Sequence, residues 1–428
     1  MLCVSSPLDG GRSMHDDVLG TYQFPTPLEP CTRDVAADLG AALDWAHRSR
    51  YDIEARLAAT GALLFRGFPI DTAEHFAKFV EALGYPNFVY QGAGGNAVRQ
   101  NVVGDRVFTA NESPPDKVIP FHHELAQTPV FPHRVLFFCD IPAATGGATP
   151  LLDSHRVYVR IRDQLPEFMD ELEAKGVRYT RVMTREDRPD SAVGRGWAGT
   201  FGVETLDQLR AALDGTGQSF ELLENLPGVD PTRFPIRHYT AALPAVLVDD
   251  ADPRRRTRFF NQLLAAHDGW RDELNPPGMS VVFGDGTPIP ADAMEVVARA
   301  HEEEAVAVPW RHGDVMLLNN LQVMHARERF ANGDAPRRVL ASLAGDPRGN
   351  KKGTVAAIAS TSARVKTRTR PTAKRAPRGG SNARRGQSAF GGNAFGGKGN
   401  AFGGKGNAFG GKGNAFGGNA FVGLALAR

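Results

Sequence analysis

Cysteine is scarce in this chain: three in 428 residues, at Cys3, Cys31 and Cys139, an odd number at wide spacing. That excludes a CxxC zinc site and a disulfide-dense secreted scaffold, and it fits reduced thiols inside a cell, in the cytoplasm. Cys139 falls in the apolar run VLFFCDI, which is expected to bury an inert thiol. No apolar run approaches the roughly 18 residues that a membrane span requires. The opening MLCVSSPLDGGRSMHDD lacks a basic stretch followed by an apolar core, so no secretory signal is expected. Missing too are H-E-x-x-H, the helical signature of zinc hydrolases, and the H-x-H of cupins.

Acidic residues are missing from one region altogether. Fifteen of the 50 Lys and Arg lie from 349 onward, where there is no Asp or Glu, so residues 1–348 carry 35 basic against 48 acidic side chains, a net charge of −13. An acidic body is a poor partner for a phosphate backbone, and any RNA affinity, expected to be weak, belongs to the tail. That tail, 349–428, is basic and ends in a seven-residue repeat, AFGGKGN. Three glycines in each unit preclude a coiled coil, and Phe is too sparse to offset the entropy of ordering, so a disordered segment is expected. It reads equally as a low-complexity extension without specific function.

What is present in 1–348 is a set of compact apolar runs bounded by Gly or Pro. TGALLFRGFPI (60–70), RVLFFCDIP (134–142), GDVMLLNNLQVMHA (313–326) and RRVLASLAG (337–345) read as strands. Apolar residues spaced by three and four predict helices over Ala36–Arg50, Thr72–Leu83, Val157–Lys175 and Ala291–Ala305. Strands at both ends with helices between them predict a mainly β fold with helices, a double-stranded β-helix (jelly roll). An insertion over about 151–305 supplies helices and a lid, or simply packs over the sandwich.

The chemistry concentrates in VIPFHHELAQTP, Val118 to Pro129. Pro120 pushes the residue before it towards extended backbone. In a strand, i and i+2 share a face, so His122 and Glu124 point together and His123 points away. Alone, such a pair is equally a surface strand. A third candidate, His325, stands at the end of the apolar run after the Gly313-Asp314 turn. Two imidazoles and one carboxylate with open positions suit non-heme Fe(II) that activates O2, although a zinc hydrolase accepts the same set. Beyond His325 come Arg337 and Arg338, at the start of an apolar strand. A guanidinium there is costly unless it meets an anion, and its fork suits a carboxylate; two solvated arginines are the alternative.

With GGATPLLDSHRVY, GRGWAGTF, FFNQLLAAHDGW, VVFGDGTPIPAD, EEEAVAVPWRHGDVMLLNN and PRRVLASL, these motifs resemble the Fe(II)/2-oxoglutarate-dependent oxygenases of the taurine dioxygenase (TauD/TfdA) and clavaminate synthase-like family. The likeness is greatest to the plant clavaminate synthase-like proteins and covers about residues 40–346. It implies an oxidoreductase that uses Fe(II), 2-oxoglutarate and O2 to hydroxylate a small polar or amino-acid-like molecule, releasing succinate and CO2. His122, Glu124 and His325 match the family's iron ligands. Thr149 and Arg338, or its neighbour Arg337, match the groups that hold the co-substrate's distal carboxylate. Arg195 and Trp197, in GRGW, are candidate substrate contacts within the lid. Two positions depart from the pattern: Ser342 where some relatives have a second arginine, and Asn319-Asn320 where Asp-Asn is usual. The alternative is a catalytically silent scaffold carrying an RNA-binding or interaction tail.

Overall fold

Runs of apolar residues without alternation dictate strands buried on both faces, and three such runs form the middle of the molecule. Ala62–Phe65 and Val315–Asn319 are buried at every position, and Arg134–Ile141 is buried over most of its length. They lie side by side in an eight-stranded sheet ordered Cys3–Val4, Thr26–Glu29, Ala62–Phe65, Val315–Asn319, Arg134–Ile141, Arg338–Ala344, Val107–Thr109, Asn101–Val103. Neighbours are antiparallel except Thr26–Glu29 with Ala62–Phe65, which run parallel. This computed structural model describes residues 2–345 apart from 5–6, 17–19, 91–94, 97–98, 111–112, 189–190, 192, 225, 249–251 and 253, together with the backbone of Gly353–Thr354. The expected tail, 349–428, lies outside the described residues save for that dipeptide, which pairs with Val130–Phe131.

Both faces of the main sheet are covered. Leu63, Phe65, Leu136, Phe138, Leu317 and Leu340 pack against two helices, Leu39–Thr60 and Ala73–Ala82. The opposite face, with Leu64, Val135, Phe137, Leu318 and Val339, meets a short antiparallel sheet ordered Leu151–Asp153, Val323–Arg327, Ile119–His122. The outer side of that short sheet carries Phe121, Leu152, Met324 and Ala326 into a third core. There they pack with the helices Ser154–Gln164, Pro166–Lys175 and Ala291–Glu304 and with the last two strands of a four-stranded sheet ordered Ser219–Leu222, Ile236–Tyr239, Val177–Met183, Val281–Phe283. This lobe fills the expected insertion, and Leu151–Asp153 is its root in the short sheet. Buried Arg258 fastens the junction by pairing with Asp153 at 2.7 Å and Asp252 at 2.9 Å.

Several expected elements take different bounds. The helix expected over Thr72–Leu83 spans Ala73–Ala82, with Thr72 as its cap accepting from the His75 backbone N–H. The helix expected over Ala36–Arg50 begins later, because Asp38 adopts extended backbone and caps Leu39–Thr60. That helix ends at Gly61, whose φ of 81° and 2.7 Å approach of a virtual Cβ to Val323 Cγ2 admit no side chain. Val157–Lys175 is two helices rather than one. Leu165, forced out of helical backbone by Pro166, separates them. The run 313–326 is likewise two strands, in different sheets, joined by the turn at 320–322.

The thiols require a correction. Cys3 and Cys31 form a disulfide with Cα atoms 5.5 Å apart; only Cys139 is a free, buried thiol, pushed up to about 12 chiefly by burial. Pairing of Cys3 with Glu29 across two strands brings the sulfurs together, a contact that spacing along the chain does not reveal. With it goes the argument from reduced thiols for an intracellular setting. No helix among the described residues is long and apolar enough to cross a membrane.

Candidate metal centre

His122 closes the strand Ile119–His122, and its register partner on Val323–Arg327 is His325. Cross-strand pairing therefore faces two imidazoles with ring centroids 4.3 Å apart. Glu124 lies beyond the strand's end, in a turn, with Leu125 at φ 59°. Extended backbone thus reaches only to His122, yet the carboxylate still arrives beside the rings: Glu124 Oε2 is 3.7 Å from His325 Nε2. Ligand atoms of His122, Glu124 and His325 all lie within 4.8 Å of one another. That convergence, from residues about 200 apart in sequence, is what a shared ion requires.

Supporting groups set the state of each donor. His122 Nδ1 donates to the Pro120 carbonyl at 2.9 Å, which leaves Nε2 with its lone pair available to the centre. Burial and the neighbouring His325 ring lower the His122 pKa to about 4, so the imidazole is neutral at pH 7. For Glu124, burial pushes upward but is outweighed by Arg99 and the two histidines, which hold the carboxyl well below the usual range. Two imidazoles and one carboxylate converging on one point form a donor set that fits a divalent iron.

His123 points away, as strand alternation predicts. It is wholly buried, donates to the Asn320 carbonyl at 2.6 Å, and packs on Phe260 at 4.5 Å between centroids. Asn320 also clamps the turn: its Oδ1 accepts from the Glu124 N–H at 2.8 Å, and its Nδ2 donates to the Glu124 carbonyl at 3.0 Å. Asn319, the other half of the departure noted in sequence, accepts instead from Arg134 and the Leu321 N–H. His238 and His312 hydrogen-bond elsewhere, to Gln218 and the Asp140 carbonyl.

The remaining candidates separate. Thr149 is buried, and its hydroxyl oxygen accepts from Trp310 Nε1 at 3.0 Å. Arg338 begins its strand with a 46% exposed side chain paired to Asp140 at 2.7 Å. Arg337 lies inward, with Nε and Nη2 donating to the Gly147 carbonyl and its guanidinium 5.1 Å from the Phe330 ring centroid. Burial lowers the Arg337 pKa, and the described residues give it no carboxylate partner. Arg195 is buried with its guanidinium 5.3 Å from the Tyr90 ring centroid, donating to the Gly199 carbonyl. Trp197 is 1% exposed in a small core with Met183, Leu209 and Ile236, and its indole N–H is committed to the Phe234 carbonyl. Neither lines the large cavity, of about 1690 Å³, that opens beside His122 and Glu124. Arg99, Gln262, Trp270 and Arg327 do line it, and none of these was singled out in sequence. Arg99 comes from QGAGGNAVRQN, where no periodic pattern marks it.

A two-histidine, one-carboxylate centre between two sheets is the donor set of the mononuclear non-heme iron oxygenases. The chain belongs to the taurine catabolism dioxygenase TauD, TfdA family, whose profile matches residues 26–343. It is 42% identical to a clavaminate synthase-like protein of Arabidopsis thaliana over 323 residues, 75% of this chain and 93% of that protein. A dapdiamide synthesis protein of Enterobacter agglomerans is 27% identical over 305 residues, 68% of this chain and 85% of the relative. Among solved structures, the PvcB protein of Pseudomonas aeruginosa superposes with a TM-score of 0.43 at 15% identity, over 82% of this chain and 97% of that one. The protein is a non-heme Fe(II), 2-oxoglutarate-dependent dioxygenase, an oxidoreductase.

Proposed function

We propose that His122, Glu124 and His325 hold the iron, that Thr149 and Arg337 hold the distal carboxylate of 2-oxoglutarate, and that the enzyme hydroxylates a small polar or amino-acid-like substrate. The observation that carries this reading is the convergence of the three ligand atoms within 4.8 Å at the edge of a cavity. When bound, iron with 2-oxoglutarate and O2 supplies oxidation of a C–H bond, with succinate and CO2 as co-products.

The chain's own residues prepare that chemistry. The Pro120 carbonyl selects the tautomer that leaves His122 Nε2 as donor, and Asn320 fixes the turn that presents Glu124. Trp310 occupies a lone pair of the Thr149 oxygen, leaving the hydroxyl hydrogen to meet an anion. Arg337 turns its charge inward to a place where the described residues offer no carboxylate, an arrangement that an anionic co-substrate would complete. Phe137, edge-on to His325 at 5.1 Å, and Leu125 wall the centre from water. Arg188, Asp268, Asp272 and Arg327 on the cavity wall favour a polar substrate over an apolar one.

In this reading the main and short sheets are the two halves of a jelly roll. Residues 1–348 are the catalytic domain, and 349–428 an appended basic segment, supported by a family match that ends at 343. Anaerobic iron loading followed by a metabolite-pool screen for substrate-dependent succinate release tests the activity. Turnover supported by zinc without any keto acid would refute it. A chain ending at Thr354, which keeps the pairing with Val130–Phe131, is expected to retain full turnover.

A further inference from the structure

The two oxygens of Glu124 are committed to different neighbours. Oε2 faces His325 Nε2 at 3.7 Å, on the metal side, while Oε1 accepts from Arg99 Nη2 at 2.9 Å. Arg99 is not a swinging surface cation. Its side chain is 8% exposed, and its guanidinium lies 4.5 Å from the Tyr90 ring centroid and 5.1 Å from that of Phe108. Cation–π contact with two rings fixes the plane of the fork, and a charge-assisted hydrogen bond directs one N–H at Oε1. Asn320 pins the backbone of the same glutamate through both its N–H and its carbonyl. Glu124 is thus held at its backbone by Asn320 and at its carboxylate by Arg99.

A carboxylate with two uncommitted oxygens binds a divalent ion through one or through both. Six positions around iron accommodate two imidazoles, one carboxylate oxygen, the two donor atoms of a chelating keto acid and O2. A second oxygen from Glu124 would compete for one of the last three. We propose that Arg99 is a positioning residue that keeps Glu124 to a single metal-facing oxygen and so preserves the open face on which 2-oxoglutarate binds. The inference rests on the reading of His122, Glu124 and His325 as the iron ligands. Arg99 acts through its hydrogen bond to Glu124 Oε1.

Arg99→Met keeps an unbranched chain between Tyr90 and Phe108 and removes the donors; Arg99→Gln replaces it if the methionine variant does not fold. Three quantities are read anaerobically: iron per chain, the visible charge-transfer absorption of the Fe(II)–2-oxoglutarate complex, and 2-oxoglutarate affinity from titration of that band. The expected result is one iron per chain, a shifted or diminished band, and 2-oxoglutarate affinity at least tenfold weaker, with part of the loss restored in Arg99→Lys. A variant whose band and affinity match the wild type overturns the proposal. So does loss of iron as complete as in Glu124→Ala, which would make Arg99 a prop of the whole site. No restoration in Arg99→Lys also overturns it, because a cationic donor at that place is the substance of the claim. Failure of the underlying ligand assignment is separately visible: the unmodified protein would then show neither stoichiometric iron nor the band.

Discussion

Arg337 and Arg338 are adjacent, identical in type and opposite in surroundings, so their separate replacement tests the co-substrate site sharply. Arg337 is inward, bonded to the Gly147 carbonyl and stacked near Phe330; Arg338 is paired with Asp140 on a half-exposed surface. A hydrogen bond to a charged group contributes roughly 1.5–3 kcal/mol, so removing the Arg337 fork should weaken 2-oxoglutarate binding about 10- to 150-fold. Lysine at 337 keeps the charge but not the planar fork, and should recover only part of that loss. An exposed ion pair such as Arg338–Asp140 contributes about 0–1 kcal/mol to stability, and Arg338→Ala should leave co-substrate binding within about twofold. The assay is anaerobic titration of the iron-loaded protein with 2-oxoglutarate, beside a thermal melt for each variant. An Arg338→Ala defect larger than that of Arg337→Ala would refute the assignment. So would Arg337→Ala with unchanged affinity and a lowered melting temperature.

Three further perturbations follow from described contacts. His122→Ala should abolish iron binding, while His123→Ala should keep iron and lower stability by about 2–4 kcal/mol through a buried hydrogen bond and lost packing; equal iron loss in both contradicts the facing argument. His301 is buried between Phe121 and Phe259, and burial, only partly offset by its bond to the Val297 carbonyl, lowers its pKa from 6.5 to about 4. With the folded pKa depressed, its stability contribution is intact above pH 6.5 and falls as pH drops towards 4, a loss of about 2 kcal/mol by pH 5. His301→Leu should flatten that part of the urea-midpoint profile, and an unchanged profile would assign the slope to other groups. Cys3 and Cys31 close a loop with a separation of 28, for which chain entropy predicts about 3–4 kcal/mol. Cys3→Ser should lower stability by up to that amount without altering iron content, as denaturant unfolding would report.

Much of this was legible in sequence where local rules suffice. Pro120 and the two-residue period paired His122 with Glu124, and the structure faces them together although the strand stops one residue into the motif. Thr72 and Pro166 marked helix boundaries, the first anticipated and the second overlooked because apolar spacing continues through it. The choice between Arg337 and Arg338 was not legible. Arg338–Ala344 is buried on both faces after its first residue, so no polar alternation reveals which parity points inward. Arg99 and Asn320 were missed as supports because their partners lie 25 and 196 residues away. The Cys3–Cys31 bond escaped for the same reason: tertiary pairing, not spacing, creates it.

The strand Val323–Arg327 has an inheritance problem. Its inner side carries His325 to the candidate metal centre, and its outer side plants Met324 and Ala326 in the core of the lobe. A lineage that reshapes the lobe to admit a new substrate therefore works on the back of the strand that bears a candidate iron ligand. Volume changes at Val157, Leu263 or Met294, which share that core, reach His325 through a single thickness of backbone. Diversification is cheapest at cavity-wall residues outside that core, such as Arg188 and Asp272. Libraries for altered specificity should begin there and leave the shared strand untouched.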